Sequence, residues 1–225
     1  LIYQKIQHFC AMDLGGFYLD IIKDRQYTLP KQSRARRSCQ TAMYHILQAL
    51  TRWLAPILSF TAEEIWKHIP GKPQHSVFLE TWYQQWPEIK AMDTEKWRRL
   101  IAIRDEVNKA LERKRQLGEI GSGLEAMVYL YVNQQDQKWL GPLVTELKFF
   151  FITSGFVLMD VNEREVDLHW SDELGIGIMI RAAESEKCER CWHRHESVGQ
   201  SNIHPTICNR CESNISGSEE QRVFV

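Results

Sequence analysis

No stretch of this sequence approaches the roughly 18–20 uninterrupted apolar residues that a membrane-spanning helix requires, and no leader-like pattern opens it. A helical membrane anchor is therefore not expected, and a cytoplasmic location is. Also missing are a Walker A loop, a dinucleotide-binding glycine fingerprint and a nucleophile elbow. No catalytic residue is assigned. Glu63-Glu64 belongs to a capping pattern before it is an acid/base pair, and the isolated Cys10 and Cys39 have no identifiable activating base. Both are expected to be buried thiols that behave as small hydrophobes. Residues 184–225 have almost no apolar periodicity, so hydrophobic burial alone cannot hold them.

What is present is an ordinary globular composition over 225 residues, 44% hydrophobic and 25% charged, enough to bury a core without disulfide staples. The formal net charge of −1 hides an asymmetry. Residues 1–118 carry 19 Lys and Arg against 12 Asp and Glu, and the remainder carries 9 against 17. A basic half beside an acidic half suits an anionic partner, nucleic acid above all, although solvated helix faces give a milder version of the same count.

The polar tail carries the sharpest motif. Cys188-Glu-Arg-Cys191 and Cys208-Asn-Arg-Cys211 are two CxxC turns separated by sixteen residues. That spacing reads as a structural zinc site: each turn brings two thiolates to one ion, and two turns close a tetrahedron with sulfur at about 2.3 Å. Soft thiolates select zinc over magnesium or calcium, and metal binding would supply most of the tail's folding free energy. One structural zinc is expected. Four thiolates also accept iron, a pair of disulfides could form in air, and His193, His195 or His204 could each replace a cysteine.

Elsewhere the pattern is helical, then mixed. Residues 1–24 run as an apolar-rich helix, stopped at Leu29-Pro30. Ser33 is a candidate N-cap for a helix whose stripe is Met43, Ile46, Leu47, Leu50 and Leu54, ending near Pro56. Thr61 and Glu64 match a capping box for a shorter helix ending at Pro70-Gly71. After a long connection over 71–92, a helix starts at Asp93 or Thr94 with Trp97, Leu100, Ile101, Val107 and Leu111 inward, and stops at Gly118. Residues 127–132, 150–158 and 176–182 read as strands, with a helix over 134–148. The fold expected is mainly α: an antiparallel helix bundle over 1–118, a small α/β module over 119–183 and a four-cysteine zinc finger over 184–225.

Two features suit RNA. Arg34, Arg36 and Arg37 open a helix just after Lys23, Arg25 and Lys31, where cations oppose the helix dipole and could instead track phosphates. Trp192 follows a candidate zinc ligand and is flanked by Arg190, His193 and Arg194. It could stack on an unpaired base or pack over the metal turn as a miniature core.

Taken in order, these segments resemble a known family. FYLDIIKDR from Phe17 to Arg25, ARRSCQT from Ala35 to Thr41 and LAPILSFTAEEIW from Leu54 to Trp66 are similar to the anticodon-binding helical domain of class I isoleucyl-tRNA synthetases. RDEVNK from Arg104 and GSGLEA from Gly121 resemble the stretches that follow, and KCERCWH from Lys187 with ICNRCESN from Ile207 resemble the family's C-terminal zinc finger. The helical segment is shared with valyl and leucyl relatives; the four-cysteine tail is what separates the isoleucyl family from them. The ATP-site signatures HIGH and KMSKS are absent, and Leu1 stands where a start methionine would, so the chain reads as the C-terminal part of a longer enzyme.

The resemblance implies that the whole enzyme uses ATP to join isoleucine to tRNA(Ile), through an adenylate formed outside these residues. It implies a monomer whose tRNA-facing residues here are Lys23, Arg25, Arg36, Arg37, Arg190, Trp192 and Arg210. The runner-up is a DNA-binding module, since the tail also resembles the finger that ends certain bacterial DNA-repair glycosylases.

Overall fold

The apolar N-terminal stretch forms a run of helical turns: α1 (Ile2–His8), a π-helical segment Phe9–Tyr18, then α2 (Leu19–Ile21) and α3 (Lys23–Thr28). The widened middle places Cys10 at the surface, contrary to its expected burial, whereas Cys39 is buried as expected. Pro30 forces the preceding Leu29 into an extended conformation, ψ 154°, and α3 stops there. The computed structural model describes residues 1–71, 75–88, 93–163, 168–218 and 220–222. Among them no helix is long and apolar enough to cross a membrane.

The chain divides into two compact units, residues 36–92 and residues 1–35 with 93–225. The smaller unit is built on α4 (Arg34–Leu54) and α5 (Ser59–His68). Cys39, Gln48, Ala49 and Thr51 of α4 are buried, while Leu47 of the expected stripe is exposed. Arg52 organises the unit. Its guanidinium lies 4.7 Å from the Trp66 ring centroid and 5.4 Å from that of Tyr83, and it pairs with Glu80. The capping box expected at Thr61 does not form, because α5 already begins at Ser59. Glu63 accepts instead from Ser76 Oγ at 2.8 Å and the Val77 amide at 3.0 Å, tying α5 to the segment after it.

In the larger unit α6 (Thr94–Gln116) starts where the sequence places it. Asp93 Oδ1 accepts from the amides of Glu95 and Lys96, satisfying two orphan donors of the first turn. Its buried stripe is Leu100, Ile103, Val107 and Ala110, and it packs on a four-stranded sheet of order β2-β1-β4-β3. β1 (Ala126–Val132) pairs parallel with β2 (Gly155–Asp160) and antiparallel with β4 (Ile176–Ala182). A parallel pair needs a long crossover, here supplied by α7 (Gln134–Leu140) and α8 (Val144–Phe151).

The single helix expected over 134–148 is thus two, interrupted by a 3-10 turn over Gly141–Leu143. Phe150 lies in α8 rather than opening a strand. Left-handed Ile152 (φ 57°) ends that helix, and β2 starts only at Gly155. A Cβ at 155 would lie 2.3 Å from the end of the Met127 side chain across the parallel register, so that methionine would have to move aside. β3 (His169–Ser171) was not expected; it is three residues long and pairs with β4.

Val128, Leu130, Val132, Ile176 and Ile178 of the sheet are fully buried with Leu140, Leu147 and Phe150 of the crossover. The N-terminal helices join this core through edge-to-face contacts among Phe17, Trp97 and Phe150, at centroid separations of 5.7–6.0 Å. Arg104 lies 5.0 Å from the Phe17 ring centroid and donates to the Phe150 carbonyl at 3.1 Å.

Candidate metal centre

The tail folds around sulfur. Its buried apolar cluster consists of Cys188, Cys191, Ile207, Cys208 and Cys211, with Val198 packed against it. In the first turn the Trp192 amide donates to the Cys188 carbonyl and the Cys188 amide to the His193 carbonyl, each at 2.9 Å. The second runs straight into α9 (Asn209–Ser216), for which Cys208 is the N-cap residue. Closing the first turn puts Trp192 at φ 66°, a left-handed conformation that disfavours a side chain by roughly 1–2 kcal/mol.

All four sulfurs lie within 4.8 Å of one another, and Cys191 and Cys208 are 3.8 Å apart. A tetrahedron with metal–sulfur bonds of about 2.3 Å has edges of about 3.8 Å, so the residues present fit zinc. The thiols also share protons at this range. Hydrogen bonds from Cys191 and Cys211 push Cys208 down to about 3, while bonding to Cys191 and Cys208 pushes Cys211 far up. A divalent cation removes that conflict by taking all four as thiolates. Among the described residues the group with metal-ligand spacing consists of these cysteines alone. His193 is turned to the Cys191 carbonyl at 3.2 Å and the edge of Phe149, and His195 to Ser197 Oγ at 2.8 Å.

The other site residues fall into two groups. Lys23 is exposed and pairs with Asp20 at 2.7 Å, Arg25 is half-buried in α3, and Trp192 is 60% exposed with Lys187 Nζ 5.4 Å from its ring centroid. Trp192 is therefore not a miniature core over the metal turn. In the smaller unit Arg36 is half-buried and Arg37 exposed on α4. Arg190 and Arg210, which the resemblance implies face tRNA, both make hydrogen bonds within the protein. Arg190 donates to backbone carbonyls of α3, and Arg210 forms a two-pronged pair with Asp24 at 2.7 and 2.9 Å.

Around that pair lies a charge cluster that sequence reasoning missed. Arg210 also reaches Glu220 at 3.2 Å, and Arg222 bonds Glu220 at 3.0 Å as well as Asp24. The Arg222 side chain is 1% exposed, with its guanidinium 3.5 Å over the Phe149 ring. Burial alone would raise the Asp24 carboxyl. The hydrogen bond and charge of Arg210, with the charge of Arg222, outweigh that and hold it well below the usual carboxylate range. Burial in turn pushes Lys148 down. No local pattern announces such a cluster, because its members stand at positions 24, 149, 210, 220 and 222.

Beside the cluster a cleft of about 590 Å³ opens between α3 and the finger. Ile21, Tyr27, Leu124, Phe149 and Trp192 give it apolar walls, and Lys23 and Arg190 also line it.

Comparison with known proteins agrees with this arrangement. Residues 1–130 match the family model described as "Anticodon-binding domain of tRNA ligase", and residues 185–214 match "Zinc finger found in FPG and IleRS". Over its whole length the chain is 55% identical to an isoleucine–tRNA ligase of Legionella pneumophila (strain Lens) and 46% identical to one of Pseudoalteromonas translucida (strain TAC 125). A third such ligase, from Pseudomonas aeruginosa (strain UCBPP-PA14), is 46% identical over 99% of the chain. The chain spans 24% of the length of each of these relatives.

Proposed function

The chain belongs to the family of anticodon-binding domains of tRNA ligases, and we propose that it grips the anticodon end of tRNA(Ile) within an isoleucine–tRNA ligase. The observation that carries this is the joining, in one compact unit, of helices from the anticodon-binding region to a four-cysteine finger of the type found in that ligase. The whole ligase would activate isoleucine with ATP and transfer it to tRNA, as a cytoplasmic monomer; its ATP-dependent step would take place outside these residues. A DNA-binding module is not favoured. The anticodon-binding match covers residues 1–130, and the ligase relatives align over the whole chain.

The three functional regions would be the anticodon-binding helices over 1–118, a junction module over 119–183 and the finger over 184–225. Lys23, Arg25, Arg36 and Arg37 would track backbone phosphates, which position RNA without reading it. The apolar cleft with Trp192 at its rim suits an unstacked anticodon-loop base, since base–aromatic stacking contributes about 1–3 kcal/mol per base. One zinc, held by Cys188, Cys191, Cys208 and Cys211, would serve structure alone: four thiolates complete its shell, leaving no position for substrate. What the chain's own residues do is bind and orient RNA.

A salt titration tests this. Binding of tRNA(Ile) is expected to weaken steeply with salt, and Lys23→Ala with Arg37→Ala to make the slope of log K against log [salt] shallower by roughly 1–2. At any one salt concentration, tRNA(Ile) should bind at least tenfold more tightly than a tRNA with an unrelated anticodon. Equal affinity for both would remove the specificity claim.

A further inference from the structure

Each metal turn carries an arginine at the same place, the third position of Cys-Glu-Arg190-Cys and of Cys-Asn-Arg210-Cys. Both side chains reach the same short helix, α3. Arg190 Nη1 donates to the Thr28 carbonyl at 2.8 Å and Nη2 to the Tyr27 carbonyl at 3.4 Å. These carbonyls belong to the last turn, where helix acceptors lack partners and a cation complements the dipole. Arg210 holds the opposite end, gripping Asp24 of the first turn with both Nη atoms.

Helix ends fray, and α3 is the end of the N-terminal helical run, joined to the turns before it through Ile22. The third position of a CxxC turn, by contrast, is fixed between two ligand sulfurs once metal is bound. We propose that Arg190 and Arg210 are positioning residues: each transmits the geometry of its metal turn to one end of α3. Metal occupancy thereby sets the order of a helix that contributes no ligand. The exposed faces of α3 are Lys23 and Tyr27, the latter 77% exposed at the mouth of the cleft. The consequence for RNA rests on the function proposed above; the clasp itself does not.

Hydrogen exchange over residues 19–30 of the whole chain, with zinc content measured alongside, separates the two. Chelating zinc from the wild-type protein is expected to speed exchange of the α3 amides at least tenfold. Arg190→Ala with Arg210→Ala should do the same while zinc stays bound at the wild-type level. The milder Arg210→Lys keeps a charge opposite Asp24 but loses the fork, and should fall between.

Unchanged α3 exchange in the zinc-loaded double variant would overturn the clasp. So would loss of zinc in step with faster exchange in both the alanine and lysine variants, since the arginines would then be building the metal turn itself. Titrating the zinc-loaded double variant with tRNA(Ile) adds the functional arm, with roughly tenfold weaker binding expected. Faster α3 exchange with undiminished binding would leave the clasp standing and remove α3 from the RNA surface.

Discussion

Replacing Cys211 with serine is expected to release the metal and unfold residues 184–218 as a unit. Four of the five residues in that segment's buried apolar cluster are the ligands themselves, so without metal nothing of comparable size remains to hold it. Zinc binding by small fingers contributes on the order of 10–16 kcal/mol near neutral pH, more than a domain's usual net stability. The sheet and its crossover should survive, because their buried residues Val128, Leu130, Ile176, Ile178, Leu147 and Phe150 all come from outside the finger. Hydrogen exchange and zinc analysis would show the tail at unfolded rates with the metal gone, and residues 126–160 still protected. Persisting protection of the tail in metal-free protein would refute the account of how it folds.

Asp24→Ala is the second large effect. It leaves Arg210 and Arg222, with side chains 14% and 1% exposed, buried beside Phe149 and sharing Glu220 as their carboxylate partner among the described residues. Removing one partner of a buried ionic cluster costs about 3–5 kcal/mol, because the remaining charge stays desolvated. The pH dependence has a definite sign. The carboxyl is held below its ordinary value of 3.8 in the folded state. Its stabilising contribution is therefore fully present above that value and is lost as pH falls through the lower folded one. Denaturant unfolding should show wild-type and variant proteins separated by a constant amount above about pH 5 and converging in acid. A difference under about 1 kcal/mol near neutral pH, well below the range for a broken buried pair, would mean that the cluster relaxes into solvent. A gap that widens on acidification would contradict the direction of the shift.

What was legible in the sequence was whatever local spacing decides. Two CxxC turns at metal spacing bring their four thiols toward one point, and the four sulfurs gather as expected. The start of α6 at Thr94 and the stop at Leu29-Pro30 are set by adjacent residues and stand where they were read. Readings failed where a local signal was outbid by tertiary contact. Thr61 and Glu64 matched a capping box, but α5 begins at Ser59, and the neighbouring Glu63 bonds to Ser76 and Val77. Phe150, in an apolar run that suits a strand, is helical because the parallel β1–β2 pairing needs a crossover of that length.

The arginines carry the same lesson to the site. The resemblance implied tRNA-facing roles for Arg190 and Arg210, and only the fold reveals their carbonyl and carboxylate partners more than 160 positions away. The four-cysteine centre is thus joined to the helical region through the residues inside its own turns.

Nucleotide-resolution hydroxyl-radical footprinting of tRNA(Ile) bound to the zinc-loaded chain tests the central claim most directly. Protection is expected over the anticodon loop and the adjoining stem, and is expected to fade there when zinc is chelated. Protection confined to the acceptor end, or spread evenly along the RNA, would contradict an anticodon-gripping role.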